Sequence, residues 1–223
     1  MKLNRLATRI LAVVIVLLAF AVGGIGFYAM HVGGQEIPAH DPRGGYNFAI
    51  AYVGEPTPAR HTMSGEGPMP PGSVPEFDRM SLKGRGKPHS VGAAYTQAYN
   101  AAGLCMIAFG DTYRHIDDFI EALSTISGWD YTHEEVIKAG HRIDTMRQAF
   151  NIREGVTTPW VFPDRMIGKP PRTVGPRAGI TINPPELTDE FYEAWGWDKR
   201  TGKPSREVLH ELGMDDVAAV LYK

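Results

Sequence analysis

Cysteine is nearly absent: one occurs in 223 residues, at Cys105. That excludes an internal disulfide, excludes a metal site built from this chain's thiolates alone, and fits a reducing compartment. Charge of one sign is also missing. The 23 Lys and Arg are interspersed among 25 Asp and Glu for a net charge of −2, and no basic run or face suggests a nucleic-acid partner. There is no internal repeat. What remains is ordinary for a globular protein, 43% hydrophobic and 22% charged. With the apolar N-terminus set aside, about 190 residues are left, enough for one domain with a real core.

Charge disappears locally near the start. Lys2, Arg5 and Arg9 precede the uncharged run Ile10 to Met30, long enough for a bilayer-spanning helix whose leading cations would stay cytoplasmic. The same run reads as a secretory signal, with Ala19-Phe20-Ala21 as a small-x-small cleavage site. A third reading is an artefact of the start of the reading frame. The boundary is placed between residues 1–30, a hydrophobic segment, and 31–223, the folded domain. Membrane association through the segment is expected, with a cytoplasmic location otherwise.

Between Gly33 and Pro88, clusters such as "PRGG", "GEPTP", "GEGPMPPGSVP" and "KGRGKP" rule out one long helix or a regular sheet. Inside this stretch "YNFAIAYV", Tyr46 to Val53, reads as a buried strand or packed loop. After Pro88 the pattern turns helical. Ile116, Phe119, Ile120, Leu123 and Ile126 form one apolar stripe closed by Gly128. Thr132 and Glu135 have capping-box spacing. Behind them Val136, Ala139, Ile143, Met146 and Phe150 share a face, predicted to be the buried one. Thr188 is expected to cap a short helix carrying Asp189 and Glu190 in its first turn, and Ser205 to cap "REVLHEL" up to Gly213. The fold class is mostly α: an irregular, loop-rich first third followed by a helical domain.

The cysteine sits in "NAAGLCM". With no second Cys at metal-ligand spacing and no nearby His, it reads on spacing alone as a small buried hydrophobe. Its neighbourhood changes that reading. "HVGGQEIPAHDPRG" (31–44), "AYVGEPTPARHT" (51–62), "NAAGLCM", "AGHRIDTMRQAFNIREG" (139–155), "PDRM" (163–166) and "FYEAWGWDKRTGKPSREVLHELGM" (191–214), in this order, resemble the C-terminal part of the aldehyde ferredoxin oxidoreductase family. These are tungsten- or molybdenum-pterin enzymes. Family members carry a β-rich base for a bis-pterin cofactor, two helical domains over it and a cubane 4Fe-4S cluster. This chain resembles the third domain alone.

The resemblance implies roles for particular residues. A family motif Asp-x-x-Gly-Leu-Cys makes Cys105 the fourth cluster thiolate, the metal ligand. It makes Gly103 a position of close backbone approach to the cofactor, with Leu104 beside it, and Asn100 the pterin contact. Asn in place of Asp keeps an acceptor oxygen, loses the charge and adds donors. His61, in "PTPARHT", matches a histidine near the metal. It is the candidate catalytic residue, a proton donor or acceptor while aldehyde becomes acid. The other seven histidines and "WGWD" read as packing.

The family's other three thiolates come from a Cys-x-x-Cys-x-x-x-Cys motif that this sequence lacks, as it lacks the pterin base. The resemblance therefore implies a partner chain or domains supplying both, with ferredoxin as electron acceptor. The alternatives are a membrane-tethered, non-catalytic binding module and a truncated gene product.

Overall fold

In a computed structural model, the structure describes residues 5–62, 74, 76, 78, 81–105, 116–156 and 158–223, and within the first helix the side chains of 10–21, 24 and 28. The Pro/Gly-rich "GEGPMPPGSVP" lies mostly outside the described residues. The described chain is mostly helical, as its sequence suggests.

Helix α1 (Arg5–Tyr28) leads. Among the described residues no helix is long and apolar enough to cross a membrane, so the membrane anchor read from the sequence is not supported.

A two-residue Gly33-Gly34 turn then joins β1 (His31–Val32) to β2 (Gln35–Glu36) in an antiparallel hairpin. Both glycines have positive φ, 58° and 79°, as such tight turns require. Asp41 caps the short turn Pro42–Gly44, accepting the Arg43 backbone N–H at 3.0 Å and its guanidinium at 2.9 and 2.7 Å.

The Tyr46–Val53 run is a helix, correcting the strand or loop reading. Helix α2 spans Tyr46–Gly54, and Ala49 through Gly54 are all buried. A segment enclosed on every side shows no polar face, so periodicity could not separate helix from strand.

Helix α3 (Gly86–Ala101) lies between α5 (His133–Arg153) and α6 (Pro184–Trp195). Its N-terminus is capped from outside: the Glu190 carboxylate accepts the N–H groups of Gly84 (3.0 Å), Arg85 (2.9 Å) and Gly86 (3.3 Å). This corrects the reading of α6. That helix begins at Pro184 after Asn183, Thr188 sits within it and donates back to the Pro184 carbonyl, and Glu190 serves a different helix.

Helix α4 (Ile116–Ser127) buries Ile116, Phe119 and Ile120 as expected and ends at Gly128, φ 75°; Ile126, however, is 86% exposed. The Thr132–Glu135 capping box of α5 is present with both reciprocal bonds. Ser205 caps α7 (Arg206–Glu211), which Gly213 follows at φ 66° before α8 (Asp215–Leu221). Trp195 and Trp197 are buried in the main core beside Phe191 and Tyr192. A smaller core joins Val91, Tyr95 and Tyr99 of α3 to α4 and Val136.

Helix α5 turns the other way from its apolar stripe. Val136 is buried, but Ala139 is exposed, Met146 is 47% and Phe150 is 55% exposed. The buried face is Val136, Gly140, Asp144, Thr145, Gln148 and Ala149. Close approach decides this orientation. A Cβ on Gly140 would overlap the Ala94 carbonyl of α3, so the helices meet backbone to backbone there. Gln148 is held inside because its amide donates to Thr158 Oγ1 (2.9 Å) and the Gly202 carbonyl (3.0 Å). Gly140→Ala is expected to destabilise the fold by about 1–3 kcal/mol; an unchanged urea midpoint would show that the contact can relax.

His141 lies against Trp195, ring centroids 4.3 Å apart, with Nε2 3.1 Å from the Trp195 carbonyl oxygen. Burial pulls its pKa down to about 4 despite that hydrogen bond. The folded state then refuses a proton that the unfolded chain accepts near pH 6.5. Its contribution is complete above pH 6.5 and is lost as pH falls toward 4, by up to about 3 kcal/mol. Urea midpoints measured across that window should fall with pH, and less steeply in His141→Gln; parallel slopes would remove His141 as the cause.

Candidate functional site

The end of α3 builds the first part of the site. The Leu104 N–H donates to the Tyr99 carbonyl at 3.0 Å and the Gly103 N–H to the Asn100 carbonyl at 3.1 Å, while Gly103 has φ 80°. This is a Schellman motif, the helix stop that needs a left-handed residue just beyond the cap. Gly103 thus has a reason inside this chain. A Cβ there would meet nothing within 4 Å, so its positive φ, rather than close approach by this chain's own atoms, requires glycine. Asn100 is half-buried, Leu104 is 37% exposed and Cys105 is exposed. The cysteine is not the small buried hydrophobe that spacing alone suggests. Burial raises the Tyr99 phenol pKa, a Thr96 hydrogen bond opposes it, and the neighbouring Cys105 raises it by a smaller amount. Among the described residues no group of three or more His, Cys, Asp or Glu could hold a metal ion.

His61 belongs to a second cluster. Its ring meets His40 edge-on at 4.7 Å and Phe48 at 5.5 Å, and His40 stacks on Phe48 at 4.6 Å. Desolvation lowers the His61 pKa and repulsion from His40 adds to it, so the imidazole is neutral at pH 7 and able to accept a proton. His40 also lines an open cleft of about 1460 Å³, between residues 30–43 and the 161–175 loop. The described contacts bring His61 to His40 and Phe48, and the Asn100–Cys105 turn to Tyr99.

Sequence reasoning missed a third group, because its members are far apart in the chain and follow no motif. Glu55, just past α2, accepts or shares a hydrogen bond with His89 of α3, Oε1 to Nε2 at 3.0 Å, both at most 2% exposed. Asp144 of α5 is fully buried beside them and takes Arg147 at 2.9 Å. Burial raises the Asp144 pKa well above its ordinary value; Glu55 raises it further by charge and a shared hydrogen bond, against Arg147. The one available signal was Asp144 and Gln148, polar residues four apart on α5 and in line with Gly140. Other histidines hold structural partners: His133 bridges Tyr95 (2.7 Å) and Asp117 (2.6 Å), and His210 meets Asp215 at 2.9 Å.

Glu55→Ala is expected to destabilise the fold by about 1–3 kcal/mol, by removing the buried carboxylate that hydrogen-bonds His89. Glu55→Gln, which keeps a hydrogen-bonding atom, should cost much less. Equal unfolding midpoints for the two variants would show that the pair holds nothing.

Comparison with known proteins supplies a frame for these parts. Residues 10–214 match the family model described as aldehyde ferredoxin oxidoreductase, domains 2 and 3. The chain is similar to the tungsten-containing aldehyde ferredoxin oxidoreductase of Pyrococcus abyssi, 28% identical over 202 residues, covering 85% of this chain and 31% of that protein. It is likewise similar to the Pyrococcus furiosus protein of that name, 28% identical over 199 residues (83% and 31%). The Thermococcus kodakarensis protein is 27% identical over 200 residues (84% and 31%). The chain spans about a third of the length of these relatives.

Proposed function

Because the chain belongs to the aldehyde ferredoxin oxidoreductase family, we propose that it is one part of such an enzyme and acts with the missing domains supplied by another polypeptide. The observation that carries this reading is Cys105, the chain's one cysteine, exposed at the end of a Schellman turn and directed by Gly103 out of α3. A 4Fe-4S cluster is held by thiolates, usually four; this chain offers one, and a partner with the three-cysteine motif would supply the rest. Cys105 would be the metal ligand, with Asn100, Gly103 and Leu104 lying along the pterin side.

The bound tungsten- or molybdenum-pterin would supply two-electron oxidation of an aldehyde to a carboxylic acid, with electrons leaving through the cluster to ferredoxin. This chain's own residues do narrower work. His61, kept neutral by burial and by His40, would take up a proton released as water adds oxygen to the aldehyde carbon. Asn100 offers amide donors and an acceptor without charge. Exposed apolar side chains support the idea of a covering partner: Ile126 on α4, Trp129 (69% exposed) just after it, and Met146 and Phe150 on α5.

Co-expression of the full chain with a polypeptide carrying the first two domains and the three-cysteine motif should yield a brown complex containing tungsten or molybdenum and about four irons. Cys105→Ser should strip or deplete the cluster without dissolving the complex. His61→Asn should keep the metal content and lower aldehyde oxidation. A colourless, metal-free complex would end the catalytic reading, and full iron content in Cys105→Ser would remove the cysteine's role.

A further inference from the structure

The cleft beside His40 has a composition that neither the family assignment nor the Cys105 turn uses. Four cationic side chains line it, Arg43, Arg165, Lys169 and Arg172, against two carboxylates, Asp41 and Asp164. The charges are not equally available. Arg43 is bound to Asp41 through two guanidinium nitrogens, so that pair cancels. Arg165 lies over the Tyr28 ring, 5.5 Å from its centroid, and points a nitrogen at the Tyr28 carbonyl. Lys169 and Arg172 are exposed on the loop that forms one wall, and among the described residues neither side chain makes a hydrogen bond. Arg172 lines the cleft together with Asp41; burial works to raise the Asp41 pKa, but Arg43, with a smaller contribution from the charge of Arg172, holds it below its ordinary value. The same wall carries Val161 and Val174, 78% and 77% exposed.

Two uncommitted cations beside bare apolar side chains in one concavity suit a ligand with both characters. We propose that this cleft binds an organic carboxylate, its head at Lys169 and Arg172 and its hydrocarbon body against Val161 and Val174. A guanidinium fork matches a carboxylate through two parallel hydrogen bonds, and a neighbouring ammonium adds charge without geometric demand. Covering the two valines adds apolar burial to the charge interaction. Placement of polar anchors within a mainly apolar concavity is the usual form of a small-molecule site. No step of the proposal involves the metal or the pterin, so it stands or fails independently of the oxidoreductase reading.

The test uses the full chain and three probes that separate head from body: phenylacetate, acetate and benzylamine, followed by amide chemical shifts and calorimetry. Phenylacetate should bind, with shifts concentrated at residues 161–175, and acetate should bind at least tenfold more weakly. Benzylamine, of opposite charge, should not bind there. The double variant Lys169→Glu and Arg172→Glu should weaken phenylacetate at least tenfold. Both positions are exposed, and an unchanged thermal midpoint would confirm intact folding. A second variant, Val174→Ser, should reduce phenylacetate affinity while leaving acetate unchanged. Absence of binding, binding that ignores the charge reversal, or equal affinity for acetate and phenylacetate would each overturn the proposal.

Discussion

Glu55 and His89 sit where four helices converge. Glu55 follows α2, and its backbone carbonyl takes the Trp160 indole N–H at 2.9 Å while its side chain meets His89 on α3. His89 in turn packs edge-on against Phe191 of α6, 5.1 Å between centroids, and burial together with the same carboxylate pushes Asp144 of α5 toward its protonated form. Polar groups at this depth are costly unless partnered. Any shift of one helix along another would separate them, so the cluster fixes register as well as distance. Gly140 and Ala94 complete the constraint, because their backbones are in contact and α3 and α5 have no room to slide toward each other.

Helix α3 is therefore held at both ends. Glu190 of α6 gathers three N–H groups at its start, and the Schellman motif settles its last carbonyls at the other end. A helix fixed in this way delivers its final residues to a definite place. That gives Cys105 its position: the cysteine is exposed, and the residues before it are anchored through Tyr99 and Tyr95 in the smaller core. Preorganisation of this kind fixes where an exposed side chain is presented without burying it.

Some of this was legible beforehand and some was not, for reasons that differ by residue. The Thr132–Glu135 box, the Ser205 cap and the Gly128 stop are local arrangements of three to five residues, and local hydrogen bonding realises them wherever the helix is placed. The α5 stripe failed because hydrophobicity reports which face could be buried, while the crossing with α3 rewarded the face with Gly140 and Ala149. Thr188 and Glu190 failed for a related reason. Their types suit a helix start, but Pro184 supplies an earlier one and Glu190 finds unpaired N–H groups on α3. Tyr46–Val53 was ambiguous because complete burial erases the polar face that distinguishes the periods.

The order of family blocks, the solitary cysteine and the glycine before it were written in the sequence, since each depends on residue identity and short-range geometry. From them came the family and the mostly helical character. Tertiary structure alone decided that Cys105 is exposed, that His61 pairs with His40, that Glu55, His89 and Asp144 share one buried cluster, and that Lys169 and Arg172 face a common cleft. The His40–His61 contact and the Glu55, His89 and Asp144 cluster join residues tens of positions apart, and only the packing of the helices sets the distances on which charge, burial and proton affinity depend.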